Sequence, residues 1–317
     1  ETALKGAILT RVAASHVRFG TFQFLAAHKD INAMSKLLDY CVKRHFPEII
    51  DSPNKVIKFI ELVMSKQIDL IVNWMRVGFI HGVMNTDNST ICGETIDYGP
   101  CAFMDKYDHK AVFSSIDFQG RYAYGNQPAT IHWNLVRLTE SLLPLIDKDE
   151  SKSLEVAQST IDSFSNIFNK EWQNMMRLKL GLTDQSEEDE ELIKDLLSWM
   201  QSKKPDFTNT FANLMDSDHA NDEEFEENDF VEWKKNWKER VNNKDYLNIM
   251  KKTNPILIPR NSLVEEALHE AETIGKLDKF NELNKVIVSP YNIEIIPKKY
   301  LGTPKRSNIP YKTFCGT

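Results

Sequence analysis

The spacing of hydrophobic residues predicts a chain built mainly of α-helices. Through most of the sequence, apolar residues recur at intervals of three and four, which is the period of an amphipathic helix. Pro47 is expected to end the second helix, and Ser262 is expected to cap the last one. The predicted helices cover residues 7–28, 32–45, 56–77, 131–146, 154–182, 191–202, 207–214, 230–241 and 262–274.

One short stretch departs from the helical pattern and concentrates the polar residues. Residues 80–99 are rich in Gly, Asn, Asp and Thr, and they follow a long predicted helix. Two β-like pieces at residues 90–92 and 95–98, separated by Gly93, predict a hairpin or paired short strands. Residues 105–128 are polar and irregular. The predicted fold class is therefore mainly α with a small β insertion.

Composition narrows the partners that we expect. With 317 residues, 41% of them hydrophobic, the chain can form one large domain or two small ones. A net charge of −7 argues against a general nucleic-acid binder, because phosphate binding needs a basic face. No apolar run reaches membrane-spanning length, so we expect no membrane partner. Glu1 stands in what looks like continuing structure, so we expect a C-terminal portion of a longer protein.

The four cysteines, Cys41, Cys92, Cys101 and Cys315, form no Cys-x-x-Cys pair, which argues against a structural zinc site. So few cysteines in a chain of this length fit a reducing compartment.

The polar stretch has the outline of a kinase metal site. A protein-kinase catalytic loop has the pattern His-Arg-Asp-x-x-x-x-Asn and is followed by a hairpin and Asp-Phe-Gly. Aligning His81 with the motif's histidine places Asn88 on the asparagine, and Asp97, Tyr98 and Gly99 replace Asp-Phe-Gly. Magnesium prefers hard oxygen ligands, completed by phosphate oxygens and water. Asn88 and Asp97 are therefore the predicted magnesium ligands.

The same alignment places Val83, which cannot accept a proton, at the position of the kinase base. Asp87 stands beside Asn88 instead. Either the chain is catalytically inactive, or its chemistry differs and Asp87 acts. The simpler alternative is that Asp87 and Asn88 form a turn and Asp97 caps a loop.

Two arginines give a candidate phosphate site. Arg11 and Arg18 are seven residues apart, so on the helix predicted over residues 7–28 they share one face. Guanidinium groups bind phosphate oxygens in a bidentate manner. Surface salt bridges are the alternative for this pair.

Several segments resemble the selenoprotein O family. The most specific is His-Gly-Val-Met-Asn-Thr-Asp-Asn at residues 81–88. The others lie at residues 9–22, 95–100, 119–122, 126–128, 133–134, 254–255, 260–261 and 290–291. The resemblance covers nearly the whole chain.

The resemblance implies a protein-kinase-like fold. Residues 1–150 are expected to form the C-lobe core with the catalytic loop and metal site. Residues 151–317 are expected to be a helical extension and tail of the same domain. The family's N-lobe, with its glycine-rich loop and phosphate-binding lysine, is expected upstream of residue 1, and the isolated fragment is expected to be inactive.

The resemblance also implies an activity, since family members transfer AMP from ATP to Ser, Thr or Tyr hydroxyls of proteins. By motif, Asp87 is the expected proton acceptor. Asn88 and Asp97 are expected to hold Mg²⁺, with Mn²⁺ as the alternative, and Asp97 also lies near the nucleotide. Arg11 and Arg18 are expected to contact the phosphates of ATP. The expected partners are ATP and proteins with hydroxyl side chains, and the expected state is a monomer.

Cys315 stands third from the end, where eukaryotic members carry selenocysteine. This favours a bacterial-type or non-selenocysteine member. The resemblance implies a cytoplasmic location, with a mitochondrial one as the eukaryotic alternative. Two other functions stay open, an ordinary protein phosphotransferase and a non-catalytic nucleotide-binding pseudokinase scaffold.

Overall fold

The computed structural model describes residues 6–216, 223–241, 244–292, 296–302 and 311–314, so Cys315 lies outside the described residues. Helices dominate, and the mainly α prediction is confirmed. The helices are α1 Phe19–Ala27, α2 Ile31–His45, α3 Lys55–Val77, α4 Gln127–Ile146, α5 Glu150–Asp162, α6 Phe164–Lys179, α7 Glu188–Lys203, α8 Phe207–Met215, α9 Asn228–Arg240, α10 Tyr246–Thr253, α11 Asn261–Thr273 and α12 Asp278–Ile287. None of these described helices is both long and apolar enough to cross a bilayer.

The chain forms two compact units that are interleaved along the sequence. The first unit contains Glu1–Gln67, Asn85–Asp97 and Trp133–Ile161. The second unit contains Ile68–Met84, Tyr98–His132 and Asp162–Thr317. The predicted parts, residues 1–150 and 151–317, and the kinase-like topology stay predictions.

Helix α3 shows why the long helices are predictable. Its buried residues recur at intervals of three and four, as an amphipathic helix requires. The helix ends before Gly78, which has a φ of +74°, a left-handed value that favours glycine. The buried stripe comprises Phe59, Ile60, Val63, Met64, Gln67, Ile68, Ile71, Val72, Trp74 and Met75.

The first predicted helix, over residues 7–28, is wrong throughout its first half. Residues 6–17 contain no helix, and α1 begins only at Phe19. Ile8 and Val12 are 99% and 93% exposed, so the apolar burial that stabilises a short helix is missing here. The backbone pairs with another segment instead, with Phe19 N donating to Ser89 O at 3.0 Å.

The β-strands lie at different residues from the predicted ones. Strand β1, Phe79–Ile80, pairs antiparallel with β2, Ala102–Phe103, and neither strand is part of the predicted hairpin. Two-residue strands carry no alternating pattern, so the sequence gives no signal for them. In the predicted hairpin region the pairing is a single antiparallel bridge between Ser89 and Thr95.

Two further helix predictions are corrected in the second half of the chain. The helix predicted over residues 154–182 is divided into α5 and α6, separated at Ser163. The start of α11 has Arg260, not Ser262, as its cap. The chain is fixed at Arg260 because its buried guanidinium contacts Asp206 at 2.5 Å and Asp105 at 2.9 Å.

Candidate functional site

A small backbone arrangement in the first unit holds the predicted site. The segment of residues 89–91 pairs on one side with Arg18 and on the other with Thr95, both antiparallel. Two backbone hydrogen bonds, of 3.0 and 3.2 Å, join it to residues 17–19. Three chain segments therefore meet along residues 89–91, and the predicted site residues lie on or beside them.

The hairpin brings the predicted metal ligands to one end. Asp87 and Asn88 immediately precede Ser89, and Asp97 follows Thr95 by two residues. Because Ser89 and Thr95 are paired antiparallel, the chain before Ser89 and the chain after Thr95 leave the hairpin at the same end. Asn88 and Asp97 therefore come from adjacent segments, as the sequence predicts.

Asp87 and Asn88 form the end of a 3-10 turn, Thr86–Asn88. Asn88 N donates to Asn85 O at 2.9 Å, which closes the turn. The Thr86 hydroxyl donates to the Gln23 side chain of α1, so the turn is held against that helix. Asp87 is exposed and Asn88 is half-buried. The prediction that this pair forms a turn is correct, and a turn is compatible with ligand binding.

Asp97 has the most unusual backbone of the predicted residues. Its φ is +61°, in the left-handed region that side chains seldom adopt. Such strain costs about 1–3 kcal/mol and persists where the surroundings impose it, often at ligand sites. The Asp97 carboxylate lies 3.9 Å from Arg11 Nη2, with 36% and 44% of the two side chains exposed. A half-exposed pair at this distance adds little to the stability of the fold.

Arg11 is carried by an extended arm and not by a helix. The sequence argument that Arg11 and Arg18 share a helix face is therefore wrong, although Arg11 does lie beside Asp97. The arm is held at Ala14, whose N–H donates to Glu94 Oε2 at 2.9 Å. Arg44 donates to Ala14 O through Nε and Nη2, at 3.3 and 3.0 Å.

Arg18 lies next to α1, half-buried, and its backbone faces Thr90. Within the described residues it forms no ion pair. The nearby His45 has a lowered pKa because of burial and the positive charge of Arg44, with Glu94 opposing.

Sequence reasoning missed two polar residues that position the site. Gln67 of α3 is buried, and its Nε2 donates to Thr90 O at 2.6 Å. Asn134 of α4 is also buried, and its Nδ2 donates to Ser89 Oγ at 2.9 Å. Each interrupts the apolar stripe of an amphipathic helix, which is the signal that could have identified it.

Gly93 is required at the tip of the hairpin, as its predicted place between the β pieces implies. Its φ is +71°, and an added Cβ would lie 2.8 Å from Lys66 O. The turn is closed by Thr90, whose Oγ1 donates to Glu94 O at 2.9 Å and accepts from Glu94 N at 3.1 Å. Close packing of the hairpin on α3 thus depends on a glycine here.

The donor set fits a metal ion that phosphates help to hold. Among the described residues there is no group of three or more His, Cys, Asp or Glu suited to bind a metal. Magnesium sites that accompany nucleotides commonly use one or two protein oxygens, with phosphates and water supplying the rest. The Asp97 carboxylate and the Asn88 amide meet that requirement, and their ligand role stays a prediction.

A cavity of about 590 Å³ lies elsewhere, in the second unit. Tyr107, His109 and Trp172 are among its lining residues, and none of the five predicted site residues is. The hairpin site is therefore distinct from this cavity.

Comparison with known families agrees with the motif analysis. The model of the family described as protein adenylyltransferase SelO matches residues 1–288. The chain belongs to the SelO family. The resemblance to selenoprotein O found in the sequence is thereby confirmed.

Relatives within the SelO family are named protein nucleotidyltransferase YdiU. One from Clostridium perfringens is 49% identical over 99% of this chain and 65% of its own length. One from Bacillus cereus is 49% identical over the whole chain and 66% of its own length. One from Bacillus thuringiensis is 48% identical over the same shares. The chain thus spans slightly less than two thirds of the length of these relatives.

Proposed function

We propose that this chain serves a magnesium-dependent protein nucleotidyltransferase activity, the transfer of AMP from ATP to Ser, Thr or Tyr hydroxyls of proteins. SelO family membership and the names of the relatives support this activity. The observation that carries the proposal is Asp97, a strained carboxylate paired with Arg11 at the end of the hairpin from which Asp87 and Asn88 also leave.

The proposed roles follow from the chemistry of each group. Asn88 and Asp97 would hold Mg²⁺, or Mn²⁺, which neutralises phosphate charge when bound. Arg11 and Arg18 would bind ATP phosphates. The Arg11 pair with Asp97 is long and half-exposed, so phosphate can replace the carboxylate as its partner at small cost.

Asp87 is proposed as the proton acceptor. The acceptor hydroxyl attacks the α-phosphorus, and the bond from that phosphorus to the oxygen bridging to the β-phosphate breaks. Pyrophosphate leaves with the bonding electron pair, and the hydroxyl proton passes to the Asp87 carboxylate. Exposure of Asp87 suits this role, because a protein substrate must reach it from solvent.

The decisive experiment compares ATP labelled on the α-phosphate with ATP labelled on the γ-phosphate. The protein as its gene encodes it is incubated with Mg²⁺ and a mixture of candidate proteins. We expect label on protein from the α position alone, together with released pyrophosphate. Label from the γ position alone would instead establish an ordinary phosphotransferase.

Variants test the roles. Asp87→Asn is expected to slow transfer by about 10²–10⁴-fold, the usual contribution of a general base. Asp97→Asn is expected to abolish transfer through loss of metal. Asp51→Asn alters an exposed carboxylate of the same unit and serves as the matched control. If the unaltered protein binds ATP but labels nothing from either position, the non-catalytic scaffold is correct and the proposal is wrong.

A further inference from the structure

The cavity in the second unit has the size of a small-molecule site. Its volume is about 590 Å³, and sites for small molecules commonly have about 300–1,000 Å³. Three segments of this unit border it, namely the loop at residues 107–109, helix α6 and helix α7. Every residue that lines the cavity belongs to the second unit. A ligand bound here would therefore occupy a site of its own, apart from the hairpin site.

One face of α7 borders the cavity without forming part of the core. The lining residues of this helix are 190, 193, 194, 197, 198 and 201, and their spacing of three and four places them in a single stripe. The residues that α7 buries are Asp189, Ile193, Leu196, Trp199 and Met200, so only Ile193 belongs to both sets. The stripe therefore consists mostly of side chains that the packing of the core does not use.

Trp172 of α6 lines the cavity and differs in its contacts from the other tryptophans. The chain has six tryptophans, and the other five each pack against an aromatic ring or a cationic side chain. Among the residues that the structure describes, Trp172 has no such partner, and its indole N–H donates no hydrogen bond. Trp172 is half-buried. It therefore offers a ligand both an apolar ring surface and a hydrogen-bond donor.

Tyr107 brings a buried hydroxyl to the same cavity. The residue is 4% exposed, and its ring packs against Tyr124 and Phe207, with centroids 6.1 and 5.9 Å away. Its hydroxyl has no hydrogen-bond partner in the described part of the chain, which is unfavourable for a buried polar group. Burial, and then the charge of Asp108, raises the pKa of Tyr107 to about 12. The phenol is therefore protonated near neutral pH and can donate to a ligand.

The loop that carries Tyr107 is held in place before any ligand binds. Tyr107 N donates to Pro205 O at 2.9 Å, and His109 N donates to Gln201 Oε1 at 2.9 Å. The His109 ring packs on Gly125 so closely that no Cβ could be added there. A wall that is preorganised in this way loses little conformational entropy on binding.

Two opposite charges of α7 line the cavity without pairing. Glu190 and Lys194 are four residues apart, the spacing at which Glu and Lys commonly pair on a helix. Both are exposed, so they lie where the cavity opens to solvent. Neither forms an ion pair with any residue that the structure describes. A carboxylate and an ammonium on one stripe complement a ligand that carries both charges.

We propose that this cavity binds a small zwitterion with an aromatic ring, the chemical class to which free aromatic amino acids belong. The ring packs against Trp172, and a polar atom of the ligand bonds to the Tyr107 hydroxyl. Lys194 binds the ligand's carboxylate, and Glu190 binds its ammonium group. None of the residues predicted for the hairpin site takes part, so the proposal does not depend on AMP transfer.

The test uses four probes that share an indole ring and differ in charge. L-Tryptophan carries both charges, indole-3-acetate only the negative one, tryptamine only the positive one, and indole neither. Their binding to the whole chain is measured by ligand-observed NMR titration without nucleotide or metal ion. We expect L-tryptophan to bind most tightly and each singly charged probe about twofold to fivefold more weakly, as the loss of one exposed ion pair predicts. Indole should bind most weakly.

Charge variants test the two ion pairs separately. Lys194→Gln should weaken L-tryptophan and indole-3-acetate by about twofold to fivefold and should not weaken tryptamine. Glu190→Gln should weaken L-tryptophan and tryptamine by the same factor and should not weaken indole-3-acetate. Glu191→Gln is the matched control, because it removes an exposed carboxylate of the same helix that does not line the cavity. It should leave all four affinities unchanged.

Two further variants test where the ring binds. Ser198→Phe places a ring in the cavity from an exposed position and should abolish binding of all four probes. Tyr107→Phe removes only the hydroxyl and should weaken L-tryptophan by about twofold to tenfold, the contribution of one hydrogen bond. Circular dichroism melting checks that both variants fold.

Three results would overturn the proposal. The first is that L-tryptophan shows no saturable binding to the unaltered chain. The second is that its binding persists in folded Ser198→Phe, which would place the probes elsewhere. The third is that indole binds as tightly as L-tryptophan, since the two charges would then take no part. The assay contains no ATP, so its result and the result of the AMP-transfer experiment are independent.

Discussion

At the scale of single residues, Asp97 combines a left-handed backbone with a half-exposed carboxylate. A left-handed conformation is costly for residues other than glycine, although asparagine and aspartate tolerate it better than most. Folding stability alone favours glycine at such a position. Aspartate tolerates this conformation better than most residues, so the backbone of Asp97 is compatible with the ligand role proposed for its carboxylate.

Three substitutions of Asp97 separate strain from metal binding. Asp97→Gly should stabilise the fold by up to about 1 kcal/mol, because glycine adopts this φ freely. Asp97→Ala should destabilise it by about 1–2 kcal/mol, because alanine does not. Asp97→Asn should change stability by less than about 0.5 kcal/mol. Urea unfolding measures all three.

The three variants should all lose metal affinity, although their changes in unfolding free energy differ. Binding of Mn²⁺ with ATP, measured calorimetrically, should weaken at least about tenfold in all three, since each loses the carboxylate. Asp51→Asn should leave it unchanged. Retained affinity in Asp97→Asn would show that the metal lies elsewhere.

Individual residues also show which parts of the candidate site the sequence alone can identify. Asp87, Asn88 and Asp97 lie within eleven consecutive residues, so the local motif was enough to predict that they group together. The pairing of Arg11 with Asp97 joins distant residues through an extended arm, and helix periodicity gave the wrong reason for it. Gln67 was missed because its hydrogen bond to Thr90 depends on tertiary packing.

At the scale of elements, the end of α3 is fixed by a buried lysine. Lys179 Nζ donates to Arg76 O at 2.8 Å, and it lies 3.7 Å from the centroid of the Phe211 ring. Burial, followed by the charge of Arg76, lowers the pKa of Lys179 well below its usual value of 10.5. The amine therefore loses its proton more readily in the folded chain than in the unfolded chain.

This shift gives a pH dependence with a definite sign. Between the lowered pKa of the folded chain and the ordinary pKa of the unfolded chain, the unfolded chain binds the extra proton. The free energy of unfolding contributed by Lys179 therefore rises with pH across that window. Urea unfolding at a series of pH values below 10.5 should show the unaltered chain gaining stability relative to Lys179→Met as the pH rises toward that value.

The control is Lys170→Met, because Lys170 is an exposed residue of the same helix. Its unfolding free energy should follow that of the unaltered chain at every pH. If Lys179→Met also runs parallel to the unaltered chain, the lysine titrates normally and the burial argument fails.

The sequence predicts some helices and strands more accurately than others. Helices such as α2 and α3 were predicted to within a residue or two, because each buries a complete apolar stripe. The helix over residues 7–28 failed because Ile8 and Val12 bury nothing, and periodicity alone does not stabilise a helix. The β1–β2 pair was missed because its partners are more than twenty residues apart and two residues long.

At the scale of the whole molecule, the two compact units are interleaved in sequence. The first unit takes residues 85–97 from the middle of the chain, and these include Asp87, Asn88 and Asp97. Arg11 and Arg18 belong to the same unit. Such a division depends on contacts between distant segments, so a pass along the sequence does not predict it. The division into units does predict which part of the molecule a ligand bound by these residues should stabilise, namely the first unit.

Binding of ATP with Mg²⁺ should protect the first unit selectively. A ligand at about 100 times its dissociation constant stabilises the bound form by about 2.7 kcal/mol, which slows amide exchange by about 100-fold where opening exposes the site. Hydrogen exchange followed by mass spectrometry should show this slowing in peptides covering residues 86–97, while α11 and α12 exchange as before. In Asp97→Asn the slowing should disappear. Protection confined to α11 and α12 would place the nucleotide in the second unit and contradict the assignment of the hairpin as the site.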